Sequence, residues 1–179
     1  MNLGARTDGY SLFELVMTLA LVALLMTVGL PSLGGLAADK YLRTEVNALW
    51  HAVYLARTES IARRRVVSIC PSLDGQYCDA SYDWSNGWIL FVNKGMQDPL
   101  RRDDDEVLLQ HHQVSESSRI SSNRRGFSLR ATQLRATNGT IVFCDRAERA
   151  QSRALVISYT GRPRVTREDR AGNAYACAD

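Results

Sequence analysis

From Leu15 to Ala38 the chain carries not one charged residue, and Leu, Val, Ala and Met dominate the run. A bilayer core of about 30 Å needs roughly 20 apolar residues in a helix, so this stretch is long enough to span one. A carboxylate, Glu14, stands at its start. An ionisable group in a membrane helix costs on the order of 2.5–3.5 kcal/mol at mid-bilayer and less near an end, so Glu14 needs a partner. An ordinary secretory signal has a basic leader, an apolar stretch of about 7–15 residues and a small-residue cleavage site. Gly35-Leu36-Ala37 offers such a site, but Arg6 and Asp8 cancel in the leader and the apolar run is too long. A plain single-span anchor accounts for length and polarity and gives no role to Gly9 or Glu14.

The stretch Gly9-Tyr10-Ser11-Leu12-Phe13-Glu14-Leu15, opening onto that apolar run, resembles the class III signal of type IV prepilins and type II secretion pseudopilins. The resemblance implies cleavage by a membrane prepilin peptidase between Gly9 and Tyr10. It also implies N-methylation of Tyr10 and an assembly role for Glu14. The physics agrees, because cleavage creates a cationic amine at Tyr10 and Glu14 lies one turn on, where a helix N-terminus favours negative charge. Tyr10 and Phe13 stand where the family usually has Phe and Ile or Val.

The helical pattern continues past Ala38. Leu42, Val46, Leu49, Trp50, Val53 and Ala56 recur at helical spacing, with Lys40, Arg43, Glu45 and Glu59 between or beyond them. One helix is therefore expected from Ser11 to about Ala62. Its end falls at Arg63-Arg64-Arg65, where cations suit the negative pole of the dipole. Gly29, Pro31, Gly34 and Gly35 predict a bend or local melting at the junction of its halves.

After the helix the period changes to two, with turn residues between short apolar runs. Strands are expected at Val66–Cys70, Trp88–Asn93, Glu106–Gln110, Thr140–Cys144 and Ala154–Tyr159, with weaker ones near Phe127 and Arg164. Loops are expected at Met96–Asp105 and Ser115–Arg125. Asn86-Gly87 and Asn138-Gly139 read as tight turns, with Trp84 and Trp88 packing across the first as a hairpin. The fold class is α+β, a long N-terminal helix packed on an antiparallel β domain. The stretches Leu55–Cys70 and Asp83–Asn93 resemble the H-pseudopilin and FimT/FimU minor pilin group. This resemblance implies a pilin-like fold with a leader at 1–9, a transmembrane or filament-core half-helix at 10–37 and a periplasmic domain at 38–179. The implied partners are other pilins or pseudopilins, the peptidase and the inner membrane.

Four cysteines allow three connectivities, and a translocated domain would meet an oxidising periplasm. The preferred pairing is Cys70–Cys78, closing a short loop, and Cys144–Cys177, tying the tail to a core strand. No cysteine pair has the C-x₂₋₄-C spacing of a zinc site, so no metal is expected.

Charge is unevenly spread. Residues 73–117 hold nine acids and three bases, net −6, whereas residues 119–170 hold twelve arginines and four acids, net +8. Within the basic half, Gly161-Arg162-Pro163-Arg164 places two guanidinium groups on one side of an extended segment, and proline suits a sheet edge. Fixed guanidinium forks match phosphate oxygens. Gly-Arg-Pro-Arg also resembles the G-R-x-R motif of FimT-like minor pilins that bind DNA in natural transformation. That makes Arg162, Arg164 and Arg167 candidates for contact with DNA. The other reading pairs these arginines with the acidic loop at 98–106 or with a neighbouring pilin. There is no G-x-S-x-G, phosphate loop or H-E-x-x-H, so neither enzyme nor cofactor is indicated. His111-His112 is expected to face solvent, and Asp103–Glu106 to be a solvated acidic loop.

Overall fold

The computed structural model describes residues 11–130 and 136–177, with the side chains of 28–33 outside the described set. Helix α1 (Leu12–Arg63) opens at Ser11, whose hydroxyl accepts the Glu14 amide at 3.2 Å and satisfies one of the free donors of the first turn. It closes at Arg64, which adopts the left-handed conformation (φ 51°, ψ 38°) and donates its amide back to Ile61 and Ser60. The helix is uninterrupted between residues 29 and 35, so the local melting expected there does not occur. A proline removes one ladder bond, and the turns on either side hold the helix across it. Among the described residues no helix is long and apolar enough to cross a membrane. Part of the expected span, at 10 and 28–33, lies outside what is described.

Two antiparallel sheets follow. The first has the order β3 (Leu108–His112), β2 (Trp88–Asn93), β1 (Val66–Pro71), β5 (Phe127–Leu129). The second has the order β4 (Ser118–Ser122), β6 (Gly139–Asp145), β7 (Arg153–Ile157), β8 (Pro163–Thr166). Helix α1 packs across both. Ala38, Leu42, Val46, Leu49, Val53 and Ala56 are at most 2% exposed, against Ile69, Leu90, Phe127, Ile141, Phe143 and Leu155 from the sheets. This one stripe, repeating every three to four residues, is why the second half of the helix cannot be separated from the β domain.

Four expectations are corrected. The 115–125 stretch is not all loop, because Ser118–Ser122 forms β4 with Ser118, Ile120 and Ser122 on its buried face. Serine lacks the apolar signal that period-two reading relies on. The third strand begins at Leu108 rather than Glu106, because Glu106 is spent on backbone amides of the loop before it. Trp84 and Trp88 do not pack across a hairpin. The Trp84–Gly87 turn hands the chain from the second sheet, where Asp83 bridges Ser121, to the first, where Trp88 begins β2. Trp84 packs on Phe127 and Trp88 on His112. Gly87 (φ 142°) is required there, since a Cβ would lie 2.5 Å from the His112 carbonyl oxygen. Asn138-Gly139 is not a tight turn either. Gly139 starts β6 opposite Ile157, and its missing side chain makes room for Asn123.

Candidate functional site

Strands β7 and β8 pair from Ala154↔Thr166 to Ile157↔Pro163, which leaves Ser158–Arg162 as the connecting turn. Gly161 takes φ 70° and donates its amide to the Ser158 carbonyl at 2.9 Å. The Ser158 amide donates to the Arg162 carbonyl, and the Arg162 amide to the Ser158 hydroxyl. From α1, Arg57 donates to the Thr160 carbonyl at 2.8 Å and holds the turn to the helix. Pro163 sits on the edge strand, where its lack of an N–H costs no ladder bond. Two arginines therefore leave a backbone whose conformation is fixed from both sides.

Arg162 and Arg164 line one cleft of about 780 Å³, together with Tyr159, Arg170, Tyr175 and Asn123. Among the described residues no carboxylate lines it. Arg162, Arg164 and Arg170 form no ion pair among the described residues. Asp98 of the 98–106 loop does not line this cleft, and the loop's other carboxylates are engaged elsewhere. Asp103 accepts from Arg101 and Gln97, Asp104 from Tyr77 and Asp105 from Lys94. The reading that pairs the arginines with this loop therefore fails. The loop is also not simply solvated, since Glu106 is buried and accepts the Lys94, Gly95 and Asp103 amides.

Arg167 lies outside the cleft, and Arg170, not among the sequence candidates, lines it instead. The segment after Thr166 doubles back through a small turn. Glu168 bridges Ala174, and Asp169 accepts the Ala171 and Asn173 amides, which holds its carboxyl below the usual range. Cys144–Cys177 then ties the tail to β6, and Ser152 donates to the Tyr175 carbonyl at 2.7 Å. These constraints bring Arg170 and Tyr175 to the cleft. The signal available was the Asp169–Gly172 turn sequence upstream of Cys177. Cys70–Cys78 is the other disulfide and closes the loop after β1.

A second cluster also escaped the sequence reading. His112 is not free in solvent. Its Nε2 lies 2.8 Å from Oε2 of the buried Glu45, whose other oxygen accepts the Ser115 amide, and its ring stacks on Trp88. His111 is exposed. Of the residues expected to act in processing, Gly9 and Tyr10 lie outside the described residues. Glu14 is exposed in the first turn of α1.

The arrangement has known counterparts. FimU, a type IV minor pilin of Pseudomonas aeruginosa, is similar in two crystal forms. One is 19% identical with a TM-score of 0.53, covering 74% of this chain and 96% of that one. The other is 18% identical with a TM-score of 0.55, covering 76% and 94%. The solution structure of E. coli GspH is 16% identical with a TM-score of 0.51, covering 74% and 94%. At these identities the likeness is one of fold, the pilin-like α+β fold. No curated protein matches the chain. The model of the family described as type II transport protein GspH matches residues 45–161, most of the helix–sheet domain, and the chain belongs to that family.

Proposed function

We propose that this chain is a minor pilin or pseudopilin, a structural subunit of a type IV or type II secretion filament that helps start assembly near the tip. In this reading it is a single-pass inner-membrane protein with a periplasmic domain, cut between Gly9 and Tyr10 and N-methylated on Tyr10. Glu14 then neutralises the new amine of a neighbouring subunit within an apolar core. The supporting observation is the contrast within α1. The large apolar side chains from Leu12 to Met26 are 48–82% exposed, whereas the face from Ala38 to Ala56 is sealed under the sheets. Eleven such side chains on one half-helix need lipid or other helices around them. Mass spectrometry of the membrane-extracted protein should show a methylated Tyr10 as first residue. An intact Met1, or any other start, overturns this reading.

On that platform the turn at Arg162–Arg164 captures DNA. The observation that carries this is a cleft lined, among the described residues, by three arginines, two tyrosines and no carboxylate, a composition suited to phosphate oxygens and stacked bases. Titrating the detergent-solubilised full chain with labelled duplex at several salt concentrations should give a log–log slope of about −0.9 per phosphate contacted. Changing Arg162 and Arg164 to Gln should weaken binding and flatten the slope by about 1.8. Unchanged affinity removes the DNA site from this turn, and no binding by the wild type leaves the alternative, a secretion pseudopilin that binds no DNA.

A further inference from the structure

A second cleft, of about 470 Å³, lies beside the first and is lined by Arg124, Arg125, Arg130 and Tyr82. Asn123 lines both. Its amide donates to the Thr140 carbonyl at 3.1 Å and its Oδ1 accepts the Thr140 amide at 2.9 Å, so the ridge between the clefts is pinned to β6. Arg124 reaches over that ridge and donates Nε to the carbonyl of Asn138, a residue of the first cleft. Arg125 holds its guanidinium carbon 5.1 Å from the centre of the Tyr82 ring, a cation–π contact that orients the group. Gly126 follows, and its Cβ position is taken by Leu100 and the Ile69 carbonyl, which fixes how the arginine pair leaves the turn. Arg124 and Arg125 form no ion pair among the described residues. One carboxylate, Asp98, lines the second cleft.

We propose that the two clefts form one track, and that a DNA backbone lying on Arg162 and Arg164 continues over Asn123 onto Arg124 and Arg125. This rests on the reading of the first cleft as a DNA site and extends its footprint. The charge distribution favours it. Of the twelve arginines between 119 and 170, Arg146, Arg149 and Arg153 are bound to Ser118, Asp145 and Asp39. Six others line the two adjoining clefts.

The test compares four full-length proteins in detergent: wild type, Arg124→Gln/Arg125→Gln, Arg125→Gln alone, and Arg162→Gln/Arg164→Gln. Each is titrated with the same labelled 30-base-pair duplex over a salt series. The Arg125→Gln variant guards against a folding artefact, since Arg125 is exposed and its recorded contact is the Tyr82 ring. The track predicts that the 124/125 double variant binds about tenfold more weakly at low salt, with a slope flatter by about 1.8, and that Arg125→Gln loses about half of that slope. If both variants bind like wild type while the 162/164 variant is weakened, the track is wrong and the first-cleft site stands. If the 124/125 variants are weakened and the 162/164 variant is not, the second cleft acts alone and the track is again wrong. If none is weakened, the DNA reading itself falls.

Discussion

At the helix-proximal end of the β7–β8 hairpin, Arg153 is buried and reaches Asp39 on α1. Asp39 also takes Arg43 from the next turn at 2.9 Å. At the distal end, Arg162 and Arg164 stand in an open cleft that no described acid lines. The same kind of side chain on the same hairpin thus does two jobs. Near the helix, the guanidinium is consumed in joining helix to sheet. At the turn, the backbone is held by Arg57 and by the serine hydroxyl, which leaves the arginines themselves uncommitted to the fold. A net charge summed along the sequence cannot see this division, because it counts both ends alike.

The largest effect that would separate the two ends comes from the tail. Replacing Cys144 and Cys177 with serine removes a crosslink spanning 33 residues, which should cost about 2–4 kcal/mol in unfolding. Because the tail carries Arg170 and Tyr175, the proposed DNA binding should weaken at the distal end as well. A chemical denaturation series read beside the titration distinguishes these outcomes. If stability drops while affinity holds, Arg170 and Tyr175 contribute nothing to the cleft and the DNA contact reduces to the β7–β8 turn.

The parts of the structure that could be read from the sequence were those built on apolar periodicity. The helix end near Arg63, the β2 boundaries at Trp88 and Asn93 and the edge position of Pro163 follow from patterns along the chain, whereas Cys70–Cys78 and Cys144–Cys177 match the preferred one of three connectivities that the sequence left open. What was missed depends on polar groups that find partners distant in sequence. β4 buries serines, one of which bonds across its ladder to Thr140. His112 looked solvent-facing because its partner, Glu45, lies sixty-seven residues earlier on the helix. Asn138-Gly139 has the composition of a turn, but Gly139 is there to let Asn123 approach. The same holds at the cleft. Arg162 and Arg164 announce themselves as a local motif, whereas Arg170 arrives only because a disulfide and a side-chain-capped turn fold the tail back.

The smaller test concerns the helix-proximal end, where the two partners are not equivalent. Removing Asp39 as alanine strands a buried guanidinium, and the cost should be about 2 kcal/mol, below the 3–5 of a fully buried pair because the Asp39 side chain is 27% exposed. Arg153→Met should cost only about 1 kcal/mol. It keeps the volume, leaves Asp39 its bond to Arg43, and removes an Nε that is buried without a hydrogen-bond partner. The pH dependence follows from the same geometry. The bond from Arg153 holds the Asp39 carboxyl below its ordinary 3.8, and the bond from Arg149 lowers Asp145 likewise. A lowered carboxylate contributes its stability in full above the ordinary value, and loses it as pH falls through the lower folded one. Thermal unfolding should therefore be flat in this contribution from pH 7 to about 5 and decline below about 4. In Arg153→Met the decline should be shallower, because Asp39 then titrates closer to its unfolded value. An equally steep acid decline in that variant would mean that Arg153 does not set the Asp39 carboxyl.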